Sequence, residues 1–265
     1  MIKKIISGGQ TGADQAALDA AIKWNIPHGG WIPKGRLTEA GRLSDRYRMQ
    51  EMPTDSYASR TEQNVIDSDG ALIISHGPLT DGSKHTKEMA LKHNKPCLHI
   101  DLNETDVSNA ARLVHAWITK TKIQILNVAG PRASNDPSIY QTTLHVVTNV
   151  LIMDFIEITM SVPQKALPFK AVTIDKAVDK LISKMSLRER TYIGNLSESD
   201  LIYLNIILGD HIREMFGLNS GNEALIQACK EILDKNDIND DDVICVVIKE
   251  LWKKLHETHV LRIIK

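Results

Sequence analysis

Two textures divide the chain. From residue 1 to about 160, short β-branched runs alternate with stretches whose apolar residues return every three or four positions; beyond about 170 only the helical spacing remains. Ile2, Ile5 and Ile6 predict a strand, Ser7 to Gly12 a glycine-rich turn, and Ala13, Ala16, Ala17, Ala20, Ala21 and Trp24 a helix. The same order recurs as a helix over 57–66, a strand over 71–75, a loop over 77–83, a helix over 85–93 and a strand over 97–101. A helix over 107–120, a strand over 123–128 and a closing helix from Pro137 to about Met160, capped by Asp136, complete the series. Such alternation predicts an α/β domain of three layers, a mainly parallel sheet between helices, over residues 1–160.

Two prolines and no clear period mark 161–169 as a linker. The stripes Ile174, Val178, Leu181, Ile182, then Leu201, Leu204, Ile207, Leu208, then Leu225, Ile226, Cys229, Ile232, Leu233 predict a small all-α domain over 170–265. Within it, Ser197 to Asp200 reads as a helix start and Gly217 as a helix end.

Composition narrows the class without naming it. With 42% hydrophobic and 25% charged residues the chain is an ordinary globular protein. A net charge of −1 gives no general attraction to nucleic acid or to an anionic membrane, so any anion site has to be local. Three cysteines without close-pair spacing, Cys97, Cys229 and Cys245, argue against a disulfide scaffold and fit a reducing cytoplasm. Lys3 and Lys4 inside the first apolar run, and the absence of an apolar stretch of about 18 residues, argue against a signal peptide or a membrane span.

In a parallel sheet, ligands collect outside the carboxyl ends of the strands, where helix N-termini present free N–H groups. Three loops are expected on that edge. The first, with Gly9, Gln10, Thr11, Gly12 and Asp14, lets the backbone approach an anion. The second, from Gly77 through Thr80 and Gly82 to Ser83, adds hydroxyls together with Thr86, and the third brings Gly130 and the Arg132 guanidinium. A lone glycine loop can equally be a tight turn, and only the three together point to a phosphate-bearing ligand. Neither a P-loop nor a dinucleotide fingerprint is present, which sets aside ATPase and NAD-dependent dehydrogenase readings.

Lys34 and Arg36 flank Gly35 in a basic stretch that also holds Arg42, Arg46 and Arg48 against Glu39 and Asp45; the last three arginines read as solvated loop. Arg60 and Asn64 begin a helix whose polar face either borders the crevice or is simply exposed. Cys97 with His99, and His256 with His259, lack the partners and spacing of a metal site. Glu88 is a carboxylate one turn into a helix, either complementing the dipole or acting as a catalytic group.

The blocks Gly8-Gly9-Gln10-Thr11-Gly12-Ala13-Asp14, His28-Gly29-Gly30-Trp31-Ile32-Pro33-Lys34-Gly35-Arg36, Arg60-Thr61-Glu62-Gln63-Asn64-Val65, Gly77-Pro78-Leu79-Thr80 and Asn127-Val128-Ala129-Gly130-Pro131-Arg132 occur in order over nearly all of 1–160. Together they resemble the molybdenum-cofactor carrier family. That resemblance implies a Rossmann-like domain related to the lysine-decarboxylase-like, cytokinin-activating phosphoribohydrolases. It further implies a cytoplasmic homo-oligomer, dimer or tetramer, holding molybdenum cofactor (molybdopterin) unchanged in a crevice and serving molybdoenzymes or cofactor-synthesis proteins. Loop N–H groups and hydroxyls would take the phosphate, and Lys34, Arg36 and Arg132 the remaining charge, with no catalytic residue and no protein-bound metal.

The chain departs from the family pattern at Gln15, where arginine is expected, and at Thr80-Asp81-Gly82-Ser83, where Thr-Gly-Gly-Thr is common. Of the phosphoribohydrolase motif only Gly82-Ser83 and Glu88 are echoed. Two alternatives stay open: a nucleotide phosphoribohydrolase using Glu88, and a purine-nucleotide sensor signalling through the helical domain. Leu187 to Thr191, Gly209 to Arg213 and Phe216-Gly217-Leu218 resemble a small helical domain of unknown function.

Overall fold

The computed structural model describes residues 1–156 and 169–259. The linker expected over 161–169 falls, except for Phe169, outside the described residues, as does the expected end of the closing helix near Met160. The chain divides into two compact units, Met1–Asp154 and Phe155–Lys265.

In the first unit β1 (Lys4–Ile6) leads through the glycine turn to α1 (Ala13–Lys23), then to β2 (His28–Gly29). Between β2 and α2 (Tyr57–Ile66) lies a stretch made of very short pairs: β3 (Trp31–Ile32) is parallel to β6 (Gln50–Glu51), and β4 (Leu37–Thr38) antiparallel to β5 (Gly41–Arg42). The remainder runs β7 (Gly70–Ser75), α3 (Asp81–Lys92), β8 (Cys97–Asp101), α4 (Val107–Thr121), β9 (Ile125–Ala129) and α5 (Ile139–Phe155). The five sheet strands lie in the order β2-β1-β9-β7-β8 and every pairing is parallel.

Each sheet face is covered by helices, which is why β7 is buried along its whole length. On one face Ile5, Leu72, Ile74, Ile100, Leu126 and Val128 pack against the alanine stripe of α1 and the apolar faces of α4 and α5. On the other, Ala71 meets Val65 of α2 and Ala90 of α3. Burying each of the large aliphatic side chains contributes roughly 1.5–3 kcal/mol.

Two helix starts differ from the sequence expectation, and the strand expected over 123–128 is β9, Ile125–Ala129. The helix after β7 begins at Asp81, so Gly82 and Ser83 lie in its first turn rather than in the loop; Thr80 is the capping residue, and its carbonyl accepts the Ser83 and Lys84 N–H groups. The closing helix begins at Ile139, two residues after Pro137, because the Asp136 carboxylate caps the turn before it by accepting the Ser138 N–H at 3.1 Å.

The second unit is helical: α6 (Ile174–Lys184), α7 (Leu187–Gly194), α8 (Leu201–Met215), α9 (Glu223–Leu233) and α10 (Asp240–His259). α10 packs against the other four. Gly217, at φ 61°, ends the α8 segment as expected. Arg213 pairs with Asp210, Asp240 and Asp241, an ion-pair cluster at the end of α8 and start of α10. Among the described residues no helix is long and apolar enough to cross a membrane.

Candidate functional site: the crevice at the carboxyl ends of β1, β9 and β7

Because β1, β9 and β7 are neighbours and parallel, the loops that follow them share one edge of the sheet. The loops are also tied to each other. The Ala133 N–H donates to Thr11 Oγ1 at 3.2 Å and the Ala13 N–H to the Pro131 carbonyl at 3.2 Å, joining the first loop to the third. His76 Nδ1 and Asp136 Oδ2 lie 2.6 Å apart, joining the second to the third. That Asp136 carboxyl, which partial desolvation pushes up, is held lower by hydrogen bonds from His76 and Ser138. The Gly77 N–H is taken by Asp101 Oδ1 at 2.7 Å.

The first loop is built over a buried ion pair. Asp14 Oδ2 lies 3.6 Å from Arg60 Nη1, with the two side chains 7% and 12% exposed. Burial drives the Asp14 carboxyl above its usual range, while Arg60 and the Gln10 N–H at 3.2 Å pull the other way. Gly8 makes room for that guanidinium, since a Cβ there would sit 1.6 Å from Arg60 Nη1.

The Arg60 and Arg132 guanidiniums stand 5.7 and 5.1 Å from the centre of the Tyr57 ring, which gathers two cations about one half-exposed aromatic. Gln10 Oε1 accepts the N–H groups of Thr11 and Glu39, while its buried Nε2 has no partner. Glu39 reaches in from the turn between β4 and β5. Its carboxylate accepts the Thr11 hydroxyl, the Ser134 N–H at 3.1 Å and the Ser134 hydroxyl. Desolvation works against this carboxylate, but the Ser134 and Thr11 bonds outweigh it and hold the group below its usual range.

The structure therefore brings together Gly9, Gln10, Thr11, Gly12, Asp14, Arg60, Gly130 and Arg132, and ties Gly77 to the same edge. Other expected residues have different duties. Arg36 is buried at φ 55° and spends its guanidinium on the carbonyls of Leu43, Met49, Ser44 and Tyr47, stapling its own loop instead of facing the crevice. Lys34 is exposed on the turn that Arg36 ends. Asn64 holds both sides of Trp31, accepting its N–H at 2.8 Å and donating to its carbonyl at 3.1 Å.

Replacing Asn64 by alanine is expected to cost about 1–3 kcal/mol by leaving that backbone unpaired. Urea denaturation followed by tryptophan fluorescence measures it, and an unchanged midpoint would show the two bonds to be dispensable. Ser83 and Thr86 are buried on the inner side of α3, with the Thr86 hydroxyl returned to the Gly82 carbonyl at 3.1 Å. Thr80 caps that helix.

Glu88 shares a groove with Pro78 and Leu79 of the second loop. Its half-exposed carboxylate is 3.7 Å from His85 Nδ1 and lines this open groove of about 510 Å³ with Leu79, Lys84, Lys87, Leu91 and His99. His99 Nε2 is 2.8 Å from Ser75 Oγ, and among the described residues no group of three or more His, Cys, Asp or Glu could hold a metal ion.

Sequence reasoning missed Tyr57, Glu39, Ser134 and His76. The sequence did carry a signal for two of them: Tyr57 lies one helical turn before Arg60, and Ser134 lies two residues after Arg132 of the Gly130-Pro131-Arg132 turn.

The family model described as a domain of unknown function (DUF6794) matches residues 172–255. No curated protein matches the chain. A crystal structure at 1.45 Å of a protein from Syntrophus aciditrophicus SB, named "Putative molybdenum carrier protein", is 58% identical, with a TM-score of 0.56, over 57% of this chain and 95% of that one. The model of the circularly permutated YpsA SLOG family matches residues 5–151, from β1 through most of α5 and over all three loops of the crevice. The chain belongs to the circularly permutated YpsA SLOG family.

Proposed function

We propose that the first unit binds a phosphorylated, anionic small molecule of the pterin or nucleotide class in the crevice, with molybdenum cofactor as the ligand, and carries it unchanged. The observation that supports this most is the meeting of three glycine-containing loops at the ends of three adjacent parallel strands, the place where such sheets receive ligands. The donors suit an oxyanion: the Thr11 and Ser134 hydroxyls, the Ser134 N–H and the unpartnered Gln10 Nε2, with Arg132 alongside. Tyr57, with the Arg60 and Arg132 guanidiniums over its ring, adds an aromatic surface beside these donors. The 58% identity to the Syntrophus protein named "Putative molybdenum carrier protein" makes that cofactor the first choice.

Gly9, Gln10, Thr11, Gly12, Gly77, Thr80, Gly130 and Arg132 form the ligand's surroundings in this reading, Lys34 screens its remaining charge from the exposed turn, and Asp14 acts through Arg60. The protein works in the cytoplasm as a dimer or tetramer that passes the cofactor to molybdoenzymes or cofactor-synthesis proteins. Residues 1–160 form the carrier domain, 161–169 the linker and 170–265 the helical domain.

Native mass spectrometry of the purified full chain, followed by denaturation and identification of what is released, tests the reading. A phosphorylated pterin with molybdenum, close to one per chain, is the expected result. A released purine nucleotide, or conversion of an added nucleoside monophosphate, would replace the carrier with the sensor or the phosphoribohydrolase.

A further inference from the structure

Glu39 places a negative charge where the preceding reading puts an anionic ligand. Its two carboxylate oxygens collect donors from two different loops: the Thr11 hydroxyl and Ser134 N–H on Oε1, the Ser134 hydroxyl on Oε2. These donors are preset, because the Thr11 hydroxyl oxygen is itself held by the Ala133 N–H and must aim its proton elsewhere. A carboxylate gripped by a backbone N–H and two hydroxyls satisfies the same demands as two oxygens of a phosphate or molybdate.

The element that brings Glu39 is suited to leave. It is the two-residue turn between β4 and β5, and Leu37, Ala40, Gly41 and Arg42 around it are all exposed, so moving it uncovers little apolar surface. Two further latches hold the hairpin, the Glu39 N–H on Gln10 Oε1 at 2.9 Å and the Tyr57 hydroxyl on the Leu37 carbonyl at 3.5 Å. Gln10 is 5% exposed and its Nε2 already lacks a partner, so withdrawal of the turn leaves its Oε1 with the Thr11 N–H alone and its Nε2 unpaired beside the vacated donors.

We propose that Glu39 is an internal competitor for the ligand's oxyanion: the carboxylate occupies the Thr11–Ser134 donors in the free protein, and ligand enters by displacing the β4–β5 turn. This rests on the crevice being an anion site. It gives a carrier a means of release, since the returning carboxylate refills the donors as the oxyanion departs. Affinity is then reduced by the fraction of molecules whose turn is open.

The test uses the full chain with inorganic phosphate and molybdate as probes, titrated by calorimetry at fixed ionic strength. Glu39→Ala is expected to bind both about 10- to 100-fold more tightly than the unaltered protein, as removal of a competitor that closes 90–99% of molecules requires. Glu39→Gln, which keeps the shape and loses the charge, shifts in the same direction by less. Adding Ser134→Ala to Glu39→Ala is expected to reverse the gain. Equal or weaker binding by both Glu39 variants, with the unaltered protein still binding, overturns the competitor while leaving the anion site standing. No binding of either probe by any variant overturns the anion site itself and the competitor with it.

Discussion

An Arg60→Ala protein is expected to lose about 3–5 kcal/mol of stability, the cost of leaving a buried charge without its partner. Asp14 and Arg60 are both nearly buried and 3.6 Å apart. The carboxylate keeps the Gln10 N–H at 3.2 Å and the charge of Arg132 once the guanidinium is gone. Alanine also empties the space that Gly8 leaves open. The loss carries a pH signature. Burial already raises the Asp14 carboxyl above its ordinary value in the folded protein, and without Arg60 it rises further. A raised folded value means that the folded state holds the proton more tightly, so this group's contribution falls as pH climbs from the unfolded toward the folded value. The deficit of Arg60→Ala against the unaltered protein is therefore smallest in acid and widens toward neutral pH. Urea denaturation at pH 4.5 and 7.5, followed through Trp24, Trp31 and Trp117 of the first unit, measures both parts. A loss below about 1 kcal/mol, or one that does not shrink in acid, would show that water reaches Asp14 and that the pair is no foundation for the loop.

Gly12→Ala should disable the crevice with a comparable loss of stability. Gly12 adopts φ 79° and ψ −129°, a region nearly closed to residues with a Cβ, and strain of that kind costs about 1–3 kcal/mol. The added methyl would also stand 2.5 Å from the Pro131 carbonyl oxygen, 2.8 Å from the Ala133 nitrogen and 2.9 Å from the Arg132 carbonyl carbon. All three are backbone, so the third loop has to move away from the first, at a further cost of about 1–3 kcal/mol. The displacement separates Thr11 from Ala133 and Ser134, and phosphate or molybdate binding is expected to drop below detection. Crystals of the variant, or calorimetry on protein shown by circular dichroism to be folded, decide the matter. Retained affinity would mean that the two loops bind independently.

The periodicity of the chain revealed most of the first unit because its strands are buried on both faces and its helices carry broad apolar stripes. It failed where elements are too short to show a period: β2 to β6 are two residues each. It failed also where composition is mixed, as in α10, whose run Val243-Ile244-Cys245-Val246-Val247-Ile248 has no clear polar face although most of it is buried. The placement of β9 between β1 and β7 depends on crossovers that local pattern does not record.

The glycine loops were legible because a close backbone approach demands glycine. Their partners were not. Glu39 counts in the sequence as a charge offsetting nearby arginines, yet it is spent on Thr11, 28 positions away, and on Ser134, 95 positions away. Arg36 shows the opposite failure, since its basic charge suggested a ligand contact while its fork is taken up by four carbonyls of its own loop.

Because β9 comes last among the sheet strands in sequence and lies in the middle in space, the first unit cannot close until residues 125–129 have been synthesised. Before that, β2–β1 and β7–β8 are two fragments, each with an inner edge of unpaired N–H and C=O groups, the kind of edge that recruits strands from other molecules. Pairing Lys4 with Ile125 then closes a loop of more than a hundred residues in one step, a slow event for a chain emerging from the ribosome. The period of synthesis just before β9 is thus when this protein most needs a chaperone, and substitutions that weaken β9 would act first on yield and only afterwards on the finished fold.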